Sequence, residues 1–175
     1  MDYREYTIEN GESVNLEELK TGFITREDYV IIHRDSALLC ADVLIWYKDG
    51  WLLIKRNTLP LIGEYCTVGG RVHKGVPIEI FLKQKVKEEC NLDISNLNFV
   101  GVGRAFFKTD PFNHGNGTDT TNLMYLAEGK GDLKIDKFHS EYILVNKKIF
   151  TKIKDTLHPY FRDFLEIAFS IQAEQ

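Results

Sequence analysis

Two adjacent glutamates, two arginines, a glycine pair, a lone strand aspartate and a histidine are the residues whose types and spacing could do chemistry here. Gly69 to Leu92 reads GGRVHKGVPIEIFLKQKVKEECNL. At roughly 100° per residue, positions 85, 88 and 89 share one face of a helix. Carboxylates from Glu88 and Glu89 on that face could hold Mg²⁺, which takes oxygen ligands and also binds phosphates. The glycines Gly69 and Gly70 would let backbone carbonyls come close to such a cation. The plainer alternative for Glu89 is a salt bridge to Lys85 at i, i+4, worth a few tenths of a kcal/mol. Arg71 and Arg56 offer planar forks for diphosphate oxygens, or could pair with Glu64 or Glu79. Asp42 interrupts an apolar strand. A buried carboxylate is costly without a partner, and Arg56 is the expected one. His139 has the identity of a general base, with an ordinary pKa near about 6.5; otherwise it is an exposed loop histidine beside Phe138. His73 and His114 lie in glycine-containing loops, and His33 and His158 have no constellation nearby in the sequence.

These residues need elements to position them. Ala37 to Tyr47 is a long apolar, β-branched run, and Trp51 to Lys55 is a second. The turn Lys48-Asp49-Gly50 between them predicts a β-hairpin. Tyr65 to Val68 reads as a short strand ending at the glycine pair. Pro77 to Cys90 reads as a helix: Pro77 suits a first helical position, and Ile78, Leu82, Val86 and Cys90 recur every four residues. Phe99 to Phe107, Asn122 to Ala127 and Tyr142 to Val145 read as strands. Pro159 to Ile171 reads as an amphipathic helix with Phe161, Phe164, Leu165 and Ala168 on its apolar side. The polar loop from Asp110 to Thr121, which carries Asn113, Gly115, Gly117 and Asp119, is either a flap over a ligand or a plain long connection. Interleaved helices and strands with hairpins predict an α/β (α+β) sandwich around a mixed sheet.

Composition excludes several classes. The chain has 175 residues, 43% hydrophobic and 27% charged. That is the size and balance of one globular domain. Residues 1–20 are polar and acidic and read as an appended arm or short helix, which leaves 21–175 as the domain. A formal net charge of -4 argues against general nucleic-acid binding, which needs a basic face. Cys40, Cys66 and Cys90 fit neither a disulfide framework nor a zinc site; they read as buried thiols in a reducing compartment. No signal peptide or membrane-spanning stretch is visible, so the expected location is cytoplasmic, with no membrane partner.

The segment from Gly69 resembles the Nudix box, G-x5-E-x7-R-E-U-x-E-E-x-G-U, where U is aliphatic. Gly70, Val86, Glu88, Glu89 and Leu92 stand where that pattern wants them. Val76, Gln84, Lys85 and Asn91 replace its first glutamate, its arginine, the glutamate beside it and its glycine. The chain from Phe23 onward is similar to the GDP-mannose mannosyl hydrolase branch of that family. The similarity rests on FITREDY from Phe23 to Tyr29, Asp42, Lys55-Arg56, Gly69-Gly70-Arg71-Val72, Gly117-Thr118-Asp119 followed by two threonines, and His139. The resemblance implies a Nudix-type α/β/α sandwich and a homodimer. It implies Mg²⁺ (or Mn²⁺) at Glu89, Glu88 and the Gly69 carbonyl, a small nucleotide sugar held by Arg71, Arg56, Asp42 and Asp119, and His139 as base for attack of water on the sugar's anomeric carbon. Phe138 stands where that branch has a glutamine ligand. Two further readings stay open: a binding module that has lost turnover, and a conventional pyrophosphatase.

Overall fold

The computed structural model describes residues 3–173. Met1, Asp2, Glu174 and Gln175, the ends of the expected arm and domain, lie outside the described residues. A small hairpin comes first, β1 (Ile8–Glu9) and β2 (Glu12–Ser13), turned by Asn10 and Gly11 at positive φ, the pairing that favours tight hairpins. Next are α1 (Leu16–Leu19) and α2 (Arg26–Asp35). The body then runs β3 (Leu38–Tyr47), β4 (Gly50–Arg56), β5 (Tyr65–Cys66), β6 (Val68–Arg71), α3 (Ile78–Cys90), β7 (Asp93–Phe107), β8 (Thr118–Lys130), β9 (His139–Val145), α4 (Lys147–Ile153) and α5 (Pro159–Ala173). No described helix is long and apolar enough to cross a membrane.

Seven strands form one mixed sheet. β3 is antiparallel to β4, as predicted from the Lys48-Asp49-Gly50 turn, and it is parallel to β8. Helices cover both faces. On one side α3 seats Ile78, Phe81, Leu82 and Val86 against Ala41, Val43, Ile45 and Leu123. On the other, α5 seats Phe164, Leu165 and Ala168 against Leu44, Met124 and Val145. Alternate β3 residues therefore feed opposite cores, which explains why that strand is apolar on both faces. Each fully buried leucine or phenylalanine contributes about 1.5–3 kcal/mol. This is the expected sandwich around a mixed sheet.

β3 changes neighbours along its length. Ile45 to Tyr47 pair with β4, whereas Cys40 to Val43 pair with β6. The far end of β4 turns to β5 instead, while β9 runs along the other edge of β4 from Trp51 to Arg56. The sheet is thus split at the level of Asp42, and the two arginines stand on either side of the split, Arg56 ending β4 and Arg71 ending β6.

Several boundaries differ from expectation. The strand expected to stop before the glycines divides at Thr67 and continues through them, because Gly69 and Gly70 pair with Asp42 and Ala41. Pro77 caps α3 rather than opening it. The polar loop is shorter than expected, since β8 already begins at Thr118. The N-terminal arm is tied to the body: the Tyr3 ring lies 5.7 Å from that of Phe99, and a Glu5 carboxylate oxygen accepts the Ile78 amide at 3.2 Å. That amide is one of the unbonded donors at the start of α3.

Candidate functional site

A cavity of about 600 Å³ opens at the split, on the α5 side of the sheet. Its floor is β3 and β8, which present Asp42, Thr120 and Asn122. Arg56, Gly69, Gly70 and Arg71 line it from the strand ends, and Tyr29, His33 and Phe138 from α2 and the loop before β9. Four of the expected site residues, Asp42, Arg56, Gly69 and Arg71, thus meet in one cavity.

The arginines hold no carboxylate among the described residues. Arg56 donates to the Thr58 hydroxyl at 3.2 Å and to nearby carbonyls. The Arg71 guanidinium sits 4.6 Å over the Tyr29 ring, a cation–π contact. The alternative pairings with Glu64 and Glu79 do not form; Glu79 bonds Lys83 instead. Both cations therefore keep donors for an anion.

Asp42 finds a different partner from the one expected. It accepts from the Tyr160 hydroxyl of α5 at 2.8 Å, while Arg56 acts on it only through its charge. Burial pushes the Asp42 carboxyl up to about 7, against the pull of the Tyr160 hydrogen bond and Arg56. Gly69 is required beside it: a Cβ there would lie 2.1 Å from Asp42 Oδ1 and 2.5 Å from the Ala41 carbonyl oxygen.

On the other side of Gly70 and Arg71 lies a groove of about 270 Å³ lined by His73, Gln84, Lys85 and Glu88. Glu88 is exposed on its rim. Glu89 is buried and bonds Lys85 Nζ at 2.7 Å, so the alternative salt bridge is the one that forms, with its carboxylate inside the fold and its ammonium on the groove. Burial raises the Glu89 carboxyl above the ordinary range, and Lys85 opposes the rise. Among the described residues no three His, Cys, Asp or Glu side chains converge as metal ligands. With a lysine on its one buried carboxylate, this donor set does not fit an oxygen cage for Mg²⁺.

His139 is buried, and its neighbour Phe138 lines the cavity where His139 does not. Its Nδ1 lies 2.7 Å from Asp136 Oδ1. A carboxylate only accepts, so Nδ1 carries the proton and Nε2 is the basic nitrogen. The loop is anchored to α3, since the Asp136 amide donates to the Glu89 carbonyl at 3.0 Å. Asp119 lies elsewhere. It alternates with Thr118 and Thr120 to the opposite sheet face and takes a two-pronged bond from Arg104 at 3.0 and 2.8 Å.

Sequence reading missed Tyr160, Tyr29, Asn122 and His33. Tyr160 belongs to a helix read as core. His33, expected to have no constellation, meets His114 at 2.8 Å across 81 positions, a pairing that no local pattern signals.

No family model matches the chain. It is 26% identical over 149 residues to the low-salt glycan biosynthesis protein Agl8 of Haloferax volcanii, covering 82% of this chain and 89% of that protein. Among solved structures, the MutT protein of Methanosarcina mazei superimposes with a TM-score of 0.59 at 22% identity, covering 79% of this chain and 96% of that one. The Nudix domain of Shewanella oneidensis NrtR, complexed with ADP ribose, superimposes with a TM-score of 0.53 at 14% identity, covering 74% and 88%. The fold is that of the Nudix hydrolases.

Proposed function

We propose that this Nudix-fold chain is a hydrolase of a nucleoside diphosphate derivative, and that its substrate is a nucleotide sugar. The observation that carries the reading is the pairing of two arginines that hold no carboxylate among the described residues, Arg56 and Arg71, in one cavity with Asp42. Two guanidinium forks flanking a backbone glycine pair suit a diphosphate. Asp42 and Asn122 supply hydrogen-bonding groups for a sugar in the same cavity. The Agl8 relative is named for glycan biosynthesis, and the NrtR domain is complexed with ADP ribose, a diphosphate between two sugars.

His139 is the proposed base; its neighbour Phe138, which lines the cavity where His139 does not, would have to turn aside for Nε2 to meet water there. Asp136 fixes its basic nitrogen, as an orienting carboxylate does for other catalytic histidines. Asp119 has no part in this reading, since Arg104 already holds it on the far face. A magnesium ion at Glu89, Glu88 and the Gly69 carbonyl would have to take Glu89 from Lys85, so no step is assigned to one. The homodimer implied by the resemblance would have Leu39, Val102 and Phe106 to cover, all exposed on one face of the sheet.

The test is incubation with GDP-mannose, related nucleotide sugars and ADP-ribose, followed by ³¹P NMR in ¹⁸O-labelled water. Free sugar plus nucleoside diphosphate is expected, and His139→Ala should lower kcat by about 10²–10⁴ with little change in KM. Nucleoside monophosphate would make the protein a pyrophosphatase. Intact substrate at high protein concentration, combined with thermal stabilisation by the same compounds, would establish the second reading, a binding module. The Lys85–Glu89 ion pair is the observation that favours this second reading.

A further inference from the structure

His33 and His114 approach as two imidazoles, Nδ1 to Nε2 at 2.8 Å, and the surrounding bonds decide which of them donates. The Asn116 amide donates to His114 Nδ1 at 3.1 Å. A backbone N–H is always a donor, so His114 Nδ1 carries no proton. Asp110 forms no hydrogen bond with His114 Nδ1; its carboxylate accepts the amides of Phe112, His114 and Gly115 at 2.9 to 3.1 Å. It stands 3.5 Å from His114 Nδ1. The proton of neutral His114 is therefore on Nε2, which donates to His33 Nδ1. His33 in turn must carry its own proton on Nε2. The His33 ring lines the cavity and is 6% exposed.

We propose that His33 is a specificity-determining residue, locked as a neutral imidazole whose Nε2–H donates to a carbonyl oxygen of the ligand's nucleobase. This assignment rests on the nucleotide reading above. The surroundings select the group. Tyr29 and Phe112 meet edge to face with centroids 5.3 Å apart, and His33 meets Phe112 the same way at 5.1 Å. An uncharged donor framed by aromatic edges suits a planar heterocycle better than a hydroxyl-rich sugar. The phosphates have Arg71, seated over Tyr29, so base and diphosphate would lie one ring apart. The titratable and charged groups facing the histidine pair are Asp110, Asp35, Tyr29 and, beyond Tyr29, Arg71.

Long-range ¹H–¹⁵N spectra of histidine-labelled protein at neutral pH test the lock without any ligand. His33, assigned by loss of its signals in His33→Phe, should be protonated at Nε2 and bare at Nδ1, the reverse of His139. A proton on Nδ1, or an imidazolium, overturns the proposal. Calorimetric titration with GDP and with inorganic pyrophosphate then tests the role. His33→Phe should weaken GDP about tenfold, the worth of one hydrogen bond at about 1.4 kcal/mol, and leave pyrophosphate unchanged. His33→Gln, which keeps an N–H donor, should recover part of the loss. Equal weakening of both ligands, or of neither, refutes the base contact while the nucleotide reading stands. Failure of the wild type to bind GDP or pyrophosphate refutes both.

Discussion

At the scale of single residues, the decisive substitution is Lys85. Its ammonium occupies the carboxylate that the Nudix pattern reserves for a cation. Lys85→Glu would set two carboxylates against each other near a buried position. Melting temperature without divalent ions should fall by several degrees, since like charges there raise each other's pKa and cost stability. Millimolar Mg²⁺ should restore it, while the wild type should show no such response; a wild type stabilised equally by Mg²⁺ would show that Lys85 yields its place. The two arginines of the cavity and the Lys85–Glu89 spacing were legible in the sequence because each belongs to a local pattern. Tyr160 was not: its hydroxyl meets Asp42 across 118 positions, and nothing in an amphipathic helix marks one aromatic as polar-facing.

At the scale of elements, two departures from the box turn out to be structurally mild. Asn91, in place of glycine, takes φ 55 at the end of α3, a left-handed position that asparagine tolerates. Val76 packs against the α3 core. The main strands and α3 could be read because periodicity and turn residues act locally. β7 was started late because Asp93 to Asn98 are largely polar or exposed, and α2 was missed because Ile31 and Ile32 face outward, which blurs its period. The glycine pair misled as a stop signal. It is a close-packing signal, and Gly69→Ala is the check. The added methyl meets Asp42 and the Ala41 carbonyl at under 3 Å, so urea unfolding should show a loss of about 2–4 kcal/mol, more than the 1–3 typical of overpacking in cores, because backbone must move. Glu5→Ala should cost about 1 kcal/mol by removing the α3 amide's partner. An unchanged midpoint there would mean that the arm adds nothing to the stability of the domain.

At the scale of the whole molecule, the two buried polar clusters oppose each other in pH. The Asp42 carboxyl is raised from 3.8 to about 7, so between those values the folded state binds more protons than the unfolded one, and stability falls as pH rises through that window. Glu89, raised by burial, acts the same way. His33 is lowered below its ordinary 6.5, by burial first and by His114 second. There the unfolded state binds more protons, so stability falls as pH drops below about 6.5. His73 and His158, lowered chiefly by burial, add to the same acid limb. The two windows overlap between 3.8 and 6.5, so in the wild type the opposing effects on melting temperature offset one another there, and each should be removable separately. Asp42→Asn keeps an acceptor for Tyr160 but cannot ionise. Its advantage over wild type should be near zero at pH 4 and grow to the order of 1 kcal/mol or more above pH 7. His33→Phe should differ from wild type by a constant above pH 7 and shrink that difference below pH 6. If Asp42→Asn instead runs parallel to wild type from pH 4 to 8, the carboxylate is not held neutral by the fold. The cavity would then meet its ligand with a net negative floor, which two arginines alone would have to offset.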